Sequence, residues 1–303
     1  MADEPELEAE FQTTGEEANV SAVDDALRDS LRDIGIPPRP AILDVIDGEM
    51  RKQEPDFRRL ATVICADVSL AAGLLKTANS PFFGFRTRAR TVTQALVMLG
   101  LDVTARAIAG LILRKVFLAT PAMERFWDAS ARVAQASGWL VGQIGVVDGV
   151  RPEDAYTYGL FRDCGIPILL RKFPQYGDVL RQANAASEMP FTAVEDSHCP
   201  TNHTMVGYLL TQSWWLPEET ALAVRGHHDA VALRAGNGSL PPASARVIAL
   251  SQLAEYFVQN ITGLSKTCEW AKLGEACLDV LGLEGADVER LQKEAPAAVG
   301  DAV

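Results

Sequence analysis

The sequence predicts an all-α fold, and three observations lead there. Apolar residues recur at three- and four-residue spacing in almost every segment, as one buried face of a helix requires. No run alternates apolar and polar residues with the period of two that marks a half-buried strand. The breaks between segments are prolines and glycines at positions suited to opening and closing helices.

Each element follows from its own residues. Residues 1–20 are polar and carry Asp3, Glu4, Glu6, Glu8, Glu10, Glu16 and Glu17, a composition expected to stay disordered. Val23, Ala26, Leu27, Leu31 and Ile34 then give a first helix, which Gly35 stops. Pro37, Pro38 and Pro40 force an extended entry to a helix with Ile42, Leu43 and Ile46 on one face. Pro55 opens the next, carrying Phe57, Leu60, Ile64 and Cys65. Asp67 is the expected N-cap of a helix with Leu70, Ala71, Leu74, Leu75 and Ala78 inside, ended by Asn79 and Ser80 ahead of Pro81. Val92 to Leu99 is a short helix closed by Gly100, and Asp102 to Leu118 is a longer one. Pro121 is the expected boundary, dividing an N-terminal subdomain over 21–120 from a second over 121–295, with 296–303 frayed. Beyond it, helices are expected over 122–147, 152–163, 167–173, 177–186, 203–213, 217–228, 242–261 and 266–281, with a last one at 288–294. Residues 235–242 read as a loop from their glycines and prolines.

Composition narrows the function. Of the 303 residues, 48% are hydrophobic and 22% charged, which is globular. The formal net charge of -12 opposes a nucleic-acid partner, which needs a basic face. Cys65, Cys164, Cys199, Cys268 and Cys277 form no CxxC pair, so reduced thiols in the cytoplasm are expected. The N-terminus lacks a secretory pattern, and no apolar run reaches a membrane span, so no membrane partner is expected.

The stretch from Tyr158 to Leu170 is apolar on both sides yet holds Arg162 and Asp163. A charged pair in such a run costs desolvation unless it is paired, hydrogen-bonded or metal-bound. The expectation is a helix ending near Asp163, with Gly165 at its end and Pro167 in the first turn of the next. All four histidines, His198, His203, His227 and His228, come later. With Asp163 they could hold a divalent metal, since imidazole and carboxylate are suitable ligands. Equally, His227 and His228 close a helix, where the dipole favours a cation.

Other features carry two readings each. Phe82, Phe83 and Phe85 are candidates for partner binding, against the favoured reading that they pack on the core. Arg86, Arg88 and Arg90 could grip nucleotide phosphates, or make solvated pairs on an acidic protein. Trp214 and Trp215 are an exposed anchor or, as favoured, a plug at a helix end. Cys164 and Cys199 match no zinc spacing and are not expected as ligands.

The order of motifs resembles the HDOD domain family, divergent relatives of the HD phosphohydrolases. The resemblance rests on Ile36-Pro37-Pro38-Arg39-Pro40, Asp67-Val68-Ser69-Leu70, Leu75 to Gly84 with its Ala-Asn-Ser-Pro-Phe-Phe-Gly, and Thr93 to Gly100. It continues through Gly159-Leu160-Phe161-Arg162-Asp163-Cys164-Gly165, His203 with Val206 to Leu210, Trp215-Leu216-Pro217 and His227-His228. It implies a helical bundle in which an N-terminal subdomain packs on a degenerate HD-like one. It also implies that catalytic relatives grip metal with a first histidine, a His-Asp pair and a later aspartate. Here Arg162 replaces the histidine of the pair, Ala129 stands at the first ligand, and Gln252 or Glu255 stands at the last. Arginine offers a metal no lone pair. The expectation is therefore a chain that is not an enzyme and has no cofactor, with Asp163, His203, His227 and His228 as residual metal candidates and Arg162 and Asp163 as a structural pair. The implied role is bacterial signal transduction through a protein partner. The alternatives are a metal-dependent phosphohydrolase or a nucleotide-binding sensor.

Overall fold

The computed structural model describes residues 33–117, 120–145, 147–234 and 240–296, and every regular element among them is helical. The expected acidic tail, most of the first helix, most of the 235–242 loop and the frayed end from 297 lie outside the described residues. Asp33 and Ile34 are helical, and Gly35, at φ +93°, ends that segment.

The N-terminal elements are α1 (Ala41–Met50), α2 (Phe57–Cys65), α3 (Val68–Ala78) and α4 (Val92–Phe117). Their starts are fixed by side chains. Asp56, one residue after the expected Pro55, caps α2 by accepting from the Arg58 and Arg59 amides, and Asp67 caps α3 from Ser69 and Leu70. Each such cap contributes about 1 kcal/mol. The amide of Asn79 reaches across the following loop, donating to the Ala89 carbonyl at 2.9 Å and accepting from its N–H at 2.7 Å. The Asn-Ser-Pro-Phe motif thus closes a structural loop containing a 3₁₀ turn at Pro81–Phe83. The Ile36–Pro40 entry is pinned from the far end of the chain. Trp214 donates its indole N–H to the Pro37 carbonyl at 3.0 Å, and Arg39 donates to the Trp214 carbonyl at 3.2 Å. Trp214 is the expected plug, 2% exposed.

The two helices expected on either side of Gly100 run on as one, with a kink where Gly100 takes φ 74°. Read together, α4 is long and apolar enough to cross a membrane, which corrects the expectation that no run reaches that length. Breaking the segment at Gly100 hid its full length. Leu96, Ile108 and Leu113 are fully buried, and α4 packs against α2 and α3 as a core helix.

The second part holds α5 (Pro121–Ile144), α6 (Pro152–Phe161), α7 (Gly165–Lys172), α8 (Tyr176–Ala185), α9 (Phe191–Asp196), α10 (His203–Ser213), α11 (Glu218–Gly226), α12 (Ala230–Leu233), α13 (Pro242–Thr262), α14 (Glu269–Leu281) and α15 (Gly285–Glu294). The short α9 and α12 have no counterpart in the sequence expectation, because one or two turns carry too few residues to show a period. Helices α5 and α6 pack backbone to backbone at Gly159, where a Cβ would lie 2.8 Å from the Ala134 Cα.

Burial divides the molecule differently from the expected line at Pro121. One apolar core takes residues from Ile36 to Trp127 and again from Phe161 to Trp214. The other takes Val133 to Tyr158 and then Ala223 to Ala295. The stretch from Tyr158 to Leu170 crosses from one to the other, so the charged pair sits at their junction. All five cysteines are free thiols.

Candidate metal centre

Asp163 lies in the turn after α6, His203 is the first residue of α10, and His227 and His228 follow the last turn of α11. One ligand atom from each of these four residues lies within 4.8 Å of the other three. Asp163 Oδ1 is 3.3 Å from His227 Nε2 and 3.7 Å from His203 Nε2, and the two Nε2 atoms are 3.3 Å apart. Ligand atoms held ~2.1 Å from one ion in a tetrahedral shell are separated by similar distances.

What brings α10 to the turn is a glycine. A Cβ on Gly165 would sit 2.1 Å from the His203 carbonyl oxygen and 2.9 Å from the Gly207 nitrogen. Gly165 therefore serves close approach at the start of α7, rather than the helix end expected from sequence.

The outer contacts of the histidines are equally specific. His203 Nδ1 meets Glu195 Oε2 at 2.7 Å, His228 Nδ1 meets Glu269 Oε2 at 2.7 Å, and His227 Nδ1 meets the Val224 carbonyl at 2.8 Å. Each partner is an acceptor, so each Nδ1 carries a proton, and in the neutral ring Nε2 keeps its lone pair. Glu195 is itself held by the Tyr176 hydroxyl and the His203 amide. Phe191 stacks on His228 with the rings 4.6 Å apart. Burial pushes the His228 ring down to about 3, so it is neutral at neutral pH. At His203 burial works the other way from Glu195, and the carboxylate prevails, raising the ring above its ordinary value.

The Asp163 carboxylate is divided between two tasks. Oδ1 faces the histidines, while Oδ2 accepts from Arg162 Nε at 2.9 Å. Arg162, 5% exposed, also meets Glu255 Oε1 at 2.6 Å, and Gln252 donates to the other Glu255 oxygen at 3.0 Å. Burial opposes ionisation of Asp163, but Arg162 and His227 hold its carboxyl well below the usual range. Two substituted positions of the motif, Arg162 and Glu255, thus form an ion pair beside the centre, which Gln252 extends by a hydrogen bond. A cleft of about 260 Å³ reaches Asp163 and His228, with Ala129 on its wall and Arg125 and Lys266 along it.

Other sequence candidates lie elsewhere. His198 is exposed and turned onto the Val194 carbonyl. Cys164 and Cys199 are buried outside the ligand group. Phe82 packs into the surface left by Gly138, where a Cβ would fall 2.0 Å from its ring, and stacks on Tyr156. Phe83 stacks on Phe85, which is 40% exposed. Arg86, Arg88 and Arg90 are exposed on the following loop, away from the histidines. Glu195 and Glu269 were not singled out from sequence. Neither sits in a spacing that marks a ligand partner, and Glu195 lies on the unforeseen α9.

Known proteins give this geometry a setting. An uncharacterized protein of Treponema pallidum (strain Nichols) is 24% identical over 225 residues. The match takes in 74% of this chain and 42% of that protein, so the chain spans about two fifths of the length of this curated relative. A Shewanella amazonensis structure, provisionally named a metal-dependent phosphohydrolase, superposes with a TM-score of 0.59 at 16% identity over 93% of this chain and 99% of that one. A Marinobacter aquaeolei structure, provisionally named a signal transduction protein, does so with 0.59 at 20% identity over 95% and 65%. The expectation that the chain is not an enzyme, which rested on a lost ligand set, is corrected by the convergence of Asp163 with three histidines. It failed because three substitutions were counted as loss of the site, while the four remaining ligands close a group without them. The HDOD domain family model matches residues 36–230, close to two thirds of the sequence, and the chain belongs to that family.

Proposed function

We propose that this HDOD protein binds one divalent transition-metal ion through Asp163, His203, His227 and His228 and hydrolyses a phosphoester beside it. One observation carries the reading: all three imidazoles have Nδ1 fixed by an acceptor, so that Nε2 is left to converge with a carboxylate. Histidine ligands anchored in this way are the usual outer shell of protein metal sites. Three nitrogens and one oxygen suit zinc, iron or manganese. When bound, such an ion supplies Lewis acidity toward a phosphoryl oxygen and activates water.

The chain's own groups do the rest. Glu195 and Glu269 hold two rings in the tautomer that presents Nε2. Arg162 keeps Asp163 ionised. Arg125 and Lys266 give the cleft two exposed cations that can grip phosphate oxygens. The test is metal analysis of protein purified without affinity metal or chelator, followed by hydrolysis of bis(p-nitrophenyl) phosphate and p-nitrophenyl phosphate. Near-stoichiometric metal and an activity lost in His227→Ala support the reading. An absence of bound metal, with none taken up on titration, sinks it.

A second reading concerns the regulatory role. Trp215 is 64% exposed and has φ 57°, a left-handed backbone that costs a bulky residue about 1–3 kcal/mol. Arg39 stacks on its ring at 4.3 Å. Such a displayed aromatic favours bacterial signal transduction through a protein partner, in the cytoplasm where the five thiols stay reduced. Crosslinking in cells that is unchanged by Trp215→Ala would count against it.

A further inference from the structure

A larger cleft lies on the other side of α5, between α3, α4 and α6, and has a volume of about 330 Å³. That is within the ~300–1,000 Å³ range of small-molecule sites. It shares no lining residue with the cleft at the histidines.

Its chemistry is lopsided. Lys76, Arg88 and Arg114 line it against a single carboxylate, Asp128. Arg114 meets Asp128 at 3.1 Å. Lys76 and Arg88 make no ion pair or hydrogen bond with any described side chain. In a protein of net charge -12, two uncommitted cations on one cleft form a local anion site.

One lining residue also lacks a hydrogen-bond acceptor. Trp127 lines the cleft, is 2% exposed, and its buried indole N–H has no partner among the described residues. A buried donor left unpaired is costly, and native proteins almost always satisfy it. Gln135, two turns further along α5 on the same lining and without a side-chain partner among the described residues, offers both a donor and an acceptor. The remaining walls include Leu111, Leu160 and the Tyr156 ring.

We propose that this cleft is a second ligand site, for a small phosphorylated compound with a planar, acceptor-bearing ring such as a nucleoside monophosphate. The phosphate meets Lys76 and Arg88 at the mouth. The ring's acceptor meets the Trp127 N–H, and Gln135 reads its edge. The site stands on its own observations and does not depend on the metal centre.

The test is calorimetric titration of the whole protein with AMP, GMP, CMP and UMP, and with inorganic phosphate. The expected result is one-to-one binding of at least one nucleotide with a Kd of about 1 mM or tighter, and weaker binding of phosphate. Lys76→Glu with Arg88→Glu, both on exposed residues, should abolish it. Trp127→Phe keeps the ring, removes the donor and should weaken it about tenfold, the value of one buried hydrogen bond. His227→Ala should leave it unchanged, which separates this site from the metal centre. No saturable nucleotide binding, phosphate binding as tight as the nucleotides, or binding untouched by the double charge reversal would each overturn the proposal.

Discussion

Gly165→Ala is the sharpest test of how the site is assembled. The added methyl would stand 2.1 Å from the His203 carbonyl oxygen and 2.9 Å from the Gly207 nitrogen. A carbon and a carbonyl oxygen normally approach no closer than ~3.3 Å, so α7 and α10 must separate by roughly 1 Å. Both obstacles are backbone, and no rotamer change relieves them. Overpacking of this kind costs about 1–3 kcal/mol, and a rigid clash belongs at the upper end. At ~2–4 °C per kcal/mol, the melting temperature should fall by roughly 6–12 °C. The same displacement moves His203 well beyond the ~0.2 Å tolerance of a coordination shell, so divalent-ion affinity should fall with it. The assay is thermal unfolding with and without added zinc or manganese. Gly48→Ala is the control: that glycine is exposed in α1 with nothing within 4 Å of the new methyl, and the change should stabilise by about 0.5–1 kcal/mol. A Gly165→Ala protein as stable as its parent would refute the close approach of the two helices, and with it the account of how His203 is placed.

Further predictions probe separate parts of the argument. Glu195→Gln and Glu269→Gln should each weaken metal affinity about 10–100-fold, read by competition with a chromogenic chelator. Asp163→Asn leaves the buried Arg162 with Glu255 as its remaining carboxylate, so stability should fall by about 2–3 kcal/mol even in chelator, measured by urea unfolding. Asp154 gives a pH-dependent term. Burial opposes its ionisation, but hydrogen bonds from Arg151 and Arg106 outweigh this and lower its pKa. Its stabilisation is therefore present above the unfolded carboxyl value near ~4 and is lost as pH falls through the lower folded value. Since the carboxylate is partly exposed, Asp154→Asn should cost about 0.5–1 kcal/mol at pH 7, a gap that closes below that range. A gap that persisted in acid would assign the effect to packing instead.

The sequence carried the helices well where a helix has a face and a cap. Asp67 and Pro121 mark their helix starts because each supplies a local reason for the chain to turn there. It carried the four ligands less well. Asp163, His203, His227 and His228 were recognisable as candidates, but their convergence depends on two helices meeting at Gly165, a long-range contact with no periodic signature. Arg162 was legible as a buried charge needing a partner. That Glu255 would supply it, nearly a hundred residues later, was not. The outer carboxylates stayed hidden because a glutamate two turns before a histidine, or one at the start of α14, has the same appearance as any surface glutamate.

The interleaving of the two apolar cores sets the order in which the chain can mature. The first core needs residues up to Trp214, and the second opens at Val133, well before the first is complete. A growing polypeptide therefore cannot finish its leading half and move on. The core that holds Leu60, Ile64, Leu74 and Leu96 is incomplete until α7 and α10 have been made. The same wiring means that a cut near Pro121 does not release two smaller proteins. It yields a leading fragment with an uncovered apolar face and a trailing one that lacks the helices its own Phe161, Ile168 and Leu210 pack against, and both should aggregate unless they are produced together.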